Sequence, residues 1–264
     1  MNIYLQELRT ARKSILIWTS SLITLAALYL MIYPGIARDA DEFIRFLESY
    51  PASVRAMLGI SAENLASLLG YYSMVFPFVT LFGAIQAMNL GMNLQARETQ
   101  AGTNDFLLAK PVSRDSIFYA KLWAALSALL ATSILYSTVA FLLVNIVKTA
   151  DYSVRIFFMI NMTMLFVQFI FLALSVLASA LLHRLKSILP ISIGTVLSLF
   201  FIGTLFATGK DDFARFLSPF KYFDMRYILQ NGKFESLYLF IGAALIIAAI
   251  AASDLLYRKR DFRS

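Results

Sequence analysis

The sequence predicts an all-α integral membrane protein with six transmembrane helices, and three observations predict it. Of its 264 residues, 59% are hydrophobic and only 15% charged, against about 25% charged in soluble domains. The charges are also clustered. Uncharged runs of about 20 residues or more, enough at about 1.5 Å per residue to cross a hydrocarbon core of about 30 Å, alternate with short polar stretches. Finally, the basic residues take sides. With both chain ends on one side, that side holds 13 of the 23 Lys and Arg and 6 of the 16 Asp and Glu, whereas the other holds 10 of each. The positive-inside rule places both termini in the cytoplasm, so the net charge of +7 reads as membrane orientation and not as a nucleic-acid footprint.

In chain order, Asn2 to Lys13 is short and amphipathic, with Ile3, Leu5, Leu8 and Ala11 roughly on one face. It reads as an interfacial helix on the inner leaflet. The first span covers 14–33; its apolar run is too long for a signal peptide's h-region and lacks a small-x-small cleavage site. An outer segment, 34–64, follows. Phe43, Ile44, Phe46, Leu47 and Tyr50 are spaced for an amphipathic helix over Asp39–Tyr50, which Pro51 interrupts before a second short helix ending at Gly59. The second span, 65–96, is longer than a bilayer requires, carries Pro77 near its middle, and places Gln86, Asn89 and Asn93 on one face.

The third span, 116–147, repeats Ala120, Ala124, Ala128 and Thr132 every four residues, a small-residue ridge that permits close helix approach. The fourth, 154–182, carries Asn161, Gln168 and Ser175 at seven-residue intervals. A basic turn around His183 leads into the fifth, 187–208, with Pro190, Gly194 and Ser198 on one face. In the second outer segment, 209–235, Pro219–Gln230 predicts a further amphipathic helix stopped by Asn231-Gly232. The sixth span, 236–256, has a second ridge in Ala244, Ala248 and Ala252 and ends in a basic tail. The whole chain, 1–264, reads as one transmembrane domain.

Absences narrow the function. No ionisable residue lies deep in a span; Lys121 and Asp254 sit near inner ends. Ion-driven carriers place such groups at depth despite a cost of about 2.5–3.5 kcal/mol. No GxxxxGK[ST] phosphate loop is present; the nearest imitation, Gly203 to Asp211, is off by one in spacing and ends on Asp211. With no cysteine and a single histidine, the chain offers no thiolate nucleophile and no histidine metal cluster, so it predicts no catalytic, cofactor or metal site of its own. The amides Gln86, Asn89, Asn93, Asn161 and Gln168, with Ser175, either line a translocation path or bond between helices, each such bond being worth about 0.6 kcal/mol.

The cytoplasmic loop 97–115 is the stretch most clearly written for a partner. Gly102-Thr103 offers a break and an N-cap, Asp105 sits in the first turn, Phe106, Leu107 and Leu108 are apolar, and Pro111 ends the helix before Ser113 caps the next. A short helix with an apolar face and charged rims either lies in the lipid interface or docks in a groove on a soluble partner.

The ordered set Glu98, Gly102, Thr103, Asp105, Leu107, Leu108, Pro111, Val112, Ser113 and Arg114, followed by Lys121, resembles the cytoplasmic loop of type-2 ABC transporter permeases. The layout of spans and the Tyr50-Pro51 in the outer segment resemble that family too, although Arg97 and Asp105 stand where it often has an acidic pair and a glutamate. The resemblance implies a six-span permease subunit of an exporter in a bacterial cytoplasmic membrane. It implies two permease subunits, identical or related, and two ATPase subunits that carry ATP and Mg. In it the loop is the coupling element, with Phe106, Leu107 and Leu108 as docking face and Glu98, Asp105 and Arg114 as polar rim. Two other readings remain at this point: a membrane scaffold or immunity-type protein that moves nothing, and an ATP-independent carrier or channel.

Overall fold

The computed structural model describes residues 3–39, 42, 45–46, 49–51, 67–101, 114–181, 187–206 and 212–259, with backbone alone at 95–101, 114, 205–206, 212–214 and 258–259. Among the described residues the regular structure is entirely helical. The helices are α1 (Ile3–Arg38), α2 (Leu68–Ala101), α3 (Arg114–Val147), α4 (Val154–Leu181), α5 (Ile188–Phe206), α6 (Asp212–Leu217), α7 (Met225–Asn231) and α8 (Ser236–Lys259), with a 3-10 turn at Pro219–Lys221.

Five of these, α1, α2, α3, α4 and α8, are long and apolar enough to cross a membrane. The apolar part of α5, Ile188–Thr204, is shorter; at about 1.5 Å per residue it spans about 26 Å. The bundle is built on α2 and α4, which pack along each other. In their apolar windows 72% and 61% of residues are buried, against 22% to 28% in α1, α3 and α8. The latter three therefore keep broad exposed apolar faces. α1 pairs with α3 on one side of the central pair, α8 packs on α4, and α5 on α2.

Two expectations are corrected. The interfacial helix expected over Asn2–Lys13 is not separate: from Ile3 onwards it is the start of a single 36-residue helix, α1. No Gly or Pro occurs between Ile3 and Tyr33, so nothing interrupts the backbone; the helix even takes in Pro34. Its first turns nonetheless lie across α3. The Thr19 hydroxyl donates to Thr132 (3.4 Å) and the Tyr33 hydroxyl meets Thr149 (3.5 Å), so that stretch keeps pace with α3. Tyr4, however, bonds to Ser127 at 2.9 Å. About 22 Å of α1 thus match only about 8 Å of α3.

The second correction concerns Pro219–Gln230. The predicted helix is broken into the 3-10 turn and the seven-residue α7. Asp224 is extended at the break, and its carboxylate accepts from the Arg226 backbone N–H at 2.8 Å, an N-cap that starts a new helix. Gly232, at φ 60°, ends α7 in the left-handed conformation that glycine adopts freely. Of the predicted outer helix over Asp39–Tyr50, Glu42, Arg45 and Phe46 are helical, whereas Asp39 and Ser49 stand in turns and Tyr50 in a bend; 40–41, 43–44 and 47–48, and the short helix after Pro51, lie outside the described residues.

The segment from α6 to the start of α8 is tied back to the bundle through Arg215. Its guanidinium pairs with Glu235, donates to the Lys221 carbonyl (2.9 Å) and lies 3.9 Å over the Tyr238 ring. The Ser218 hydroxyl donates to the Leu199 carbonyl (2.9 Å) against Gly203, where an added Cβ would meet that hydroxyl at 2.4 Å.

Candidate functional site

The predicted partner loop falls in the chain between α2 and α3. Gly102, Thr103, Asp105, Phe106, Leu107, Leu108, Pro111 and Ser113 lie outside the described residues. Glu98 stands in the last turns of α2, and Arg114 is the first residue of α3. The end of the bundle that carries this loop is its loop end. There Lys121 of α3 is buried and its ammonium donates to the Leu94 carbonyl of α2 at 2.9 Å. This bond ties the two flanks together about two turns inside the loop. The Phe118 ring of α3 packs 5.5 Å from Tyr257 near the end of α8, so the last turns of α8 gather at the same end.

Away from the loop end, the predicted amides are brought together. Gln86 donates to Thr132 (2.9 Å), and Gln168 donates to Gln86 (3.2 Å) and to the Gly83 carbonyl (3.4 Å). The Ser133 hydroxyl donates to Gln168 at 3.1 Å. With the Thr19–Thr132 bond, one hydrogen-bond chain crosses α1, α2, α3 and α4. Gln86, Thr132, Gln168 and Ser133 are all buried. Each amide is donor and acceptor to neighbours of the same chain, the arrangement that makes a buried polar layer tolerable.

Asn161 lies one layer further from the loop end. It accepts from the Tyr72 hydroxyl at 3.0 Å, which sits 3.1 Å from the Tyr136 hydroxyl. Ser175 lies on the same side of α4 nearer the loop end, bonded to the Leu172 carbonyl at 2.7 Å. It faces Gly91 so closely that a Cβ there would come within 1.8 Å of its oxygen. The helix ridge of Ala124, Ala128 and Thr132 is likewise buried within the chain, whereas Ala244 and Ala248 of α8 face outwards.

Asn89 and Asn93 stand apart from this layer. They line a cavity of about 50 Å³ at the loop end, beneath Glu7, Ala11 and Ser14 of α1 and against Ala124 of α3. Sequence reasoning missed Glu7, the one acidic residue among the basic and apolar first turns, and the tyrosines Tyr72 and Tyr136. The signal for the tyrosines was present: a hydroxyl in mid-span needs a partner.

A family model described as ABC-2 family transporter protein matches residues 1–262. No curated protein matches the chain.

Proposed function

The chain belongs to the ABC-2 family of transporter proteins, and on that premise we propose that it is the permease subunit of an exporter driven by separate ATPase subunits. It is a multi-pass membrane component of a transporter. In the proposed assembly α5 crosses as the sixth span, both termini and the loop lie in the cytoplasm, and two permeases pair with two ATPases that hold ATP and Mg. The membrane is the cytoplasmic membrane of a bacterium, and 1–264 acts as one domain.

The observation that carries this reading is where the loop's flanks lead. One flank is α2, the most buried helix, and the other is α3, bonded to it through Lys121. Force applied to residues 102–113 therefore reaches the α2–α4 interior directly. Phe106, Leu107 and Leu108 are assigned the apolar docking face, and Glu98, Asp105 and Arg114 its rim. Gln86, Asn161, Gln168 and Ser175 bond within the chain, which favours a packing role for them over a path lining.

Replacing an apolar anchor at the centre of an interface costs about 2 kcal/mol or more, about thirtyfold in affinity. Leu107→Asp or Leu108→Asp is thus expected to release the ATPase from the tagged, membrane-extracted complex and abolish ATP-driven transport while insertion is unchanged. Full ATPase recovery with normal transport in both variants would overturn the assignment.

A further inference from the structure

We propose that the cavity beneath the first turns of α1 seats the primary ammonium of a zwitterionic lipid headgroup, with Glu7 as its counter-charge. The cavity holds about 50 Å³. One water needs about 10–15 Å³ in this measure, so there is room for three or four water-sized groups, the size of an aminoethyl end. Glu7 is half-buried and has no ion-pair or hydrogen-bond partner among the described residues. A carboxylate held partly out of water beside a cavity favours a cation as occupant.

The other polar groups select its kind. Asn93 directs its amide N–H back along α2, to the Asn89 carbonyl (2.7 Å) and side-chain oxygen (3.2 Å). Its own side-chain oxygen is left as an acceptor. Ser14 adds a hydroxyl on the same cavity wall. A primary ammonium has three donors, which Glu7, Asn93 and Ser14 match one for one; a quaternary ammonium has none. Leu90, Leu94 and Ala11 complete the wall with apolar surface suited to methylenes.

Charge on these turns points to a lipid as the source. Arg9, Arg12 and Lys13 are exposed on the side of α1 away from the cavity, about 140° to 240° round the helix from Glu7. They hold the turns against a layer of headgroup phosphates, which brings the cavity within reach of lipid ammoniums. These turns lie across α3 at the end of the bundle, where a helix with an apolar side meets the headgroup layer.

The test uses the full chain in nanodiscs of phosphatidylglycerol mixed with equal phosphatidylethanolamine and phosphatidylcholine, and reads by native mass spectrometry the lipid retained after mild delipidation. Wild type is expected to retain phosphatidylethanolamine over phosphatidylcholine by about tenfold, the scale of a charge-assisted hydrogen bond. Glu7→Gln and Asn93→Leu should each bring the ratio close to one, and Glu42→Gln, near the other end of the bundle, should leave it unchanged. If Glu7→Gln fails to fold, Asn93→Leu decides. Equal retention of the two lipids by wild type overturns the proposal. Equal retention combined with thermal stabilisation by free ethanolamine in phosphatidylcholine discs would also overturn it, assigning the cavity to a soluble amine. Transport and ATPase binding do not enter the measurement, so its failure is distinct from failure of the coupling assignment.

Discussion

The two halves of the α2–α4 pair are packed with different chemistry. In the half away from the loop, the buried cluster is aromatic: Tyr33, Tyr71, Tyr72, Phe76, Tyr136 and Phe157 pack together, and a hydroxyl knot of Tyr72, Tyr136 and Asn161 fixes three helices in register. In the loop half, α2 and α4 themselves contribute chiefly aliphatic and methionine side chains, Ala84, Met88, Met92 and Val176, with the ring of Phe171; the other rings of that cluster, Phe118, Tyr222, Phe223, Tyr238 and Tyr257, come from α3, the outer segment and α8 around the pair. There the central helices approach through Gly91 and Ser175 instead of through rings. Between the halves lies the amide layer of Gln86 and Gln168. Directional bonds and interlocking rings hold one arrangement, whereas unbranched and small side chains tolerate several. The contrast teaches that ring packing between α2 and α4 is concentrated in the far half, whereas the loop half joins them through small residues and the bond from the Ser179 hydroxyl to the Met92 carbonyl.

The comparison is broken most severely at Gly91. Gly91→Ala puts a methyl within 1.8 Å of the Ser175 oxygen and 3.0 Å of the Leu172 carbonyl. Separating the two central helices should cost about 2–3 kcal/mol, read as a lower Tm of the purified chain. Adding Ser175→Gly should restore part of it, and absence of any rescue would show that the contact is not the cause. A smaller effect is expected in the aromatic half. Tyr72→Phe removes the donor to Asn161 and should cost about 1 kcal/mol, with Asn161→Leu in the Tyr72→Phe background costing less than Asn161→Leu alone. Strict additivity would dissolve the knot.

The smallest effect belongs to the outer segment. Burial pushes the Lys221 ammonium below the ordinary 10.5; Asp224 acts the other way, and Arg226 and Arg215 reinforce the shift. The folded chain therefore binds fewer protons than the unfolded chain between the lowered value and 10.5. Stability should rise with pH through that window, as the cost of a buried charge is relieved. Lys221→Met should raise Tm at neutral pH and flatten the alkaline rise. An unchanged slope in thermal melts would remove Lys221 as its source.

Much of the helix layout was legible because charge marks where an apolar helix ends. A span read over 154–182 corresponds to α4 at Val154–Leu181, and one over 236–256 to α8 at Ser236–Lys259. The failures have local causes. The start of α1 was read as a separate helix because its charges differ from the span, yet charge alone does not break a backbone without Gly or Pro. The helix at Pro219 was drawn too long because the capping power of Asp224 was not weighed. The polar line on α4 was visible as a seven-residue repeat, but which helix it faced was not. Pairing Gln168 with Gln86 depends on α2 lying against α4, which no spacing within either helix encodes. For the loop-end cavity the sequence offered Asn89 and Asn93; Glu7 joins them only because α1 swings across α3.

The unbroken length of α2 makes it a lever. From Thr80, at the border of the two packing clusters, to Ala101 beside the loop is about 31 Å of helix at about 1.5 Å per residue. A push of about 3 Å at Ala101 corresponds to a tilt of only about 6° about that border, and at Gly91 it is reduced to about 1.6 Å. That shift falls where α2, lacking a side chain at Gly91, lies directly against Ser175 of α4. In the proposed coupling, a stroke that leaves the tyrosine knot in place would still shift the seam at Gly91, and how far α2 projects beyond its pivot would set the mechanical gain.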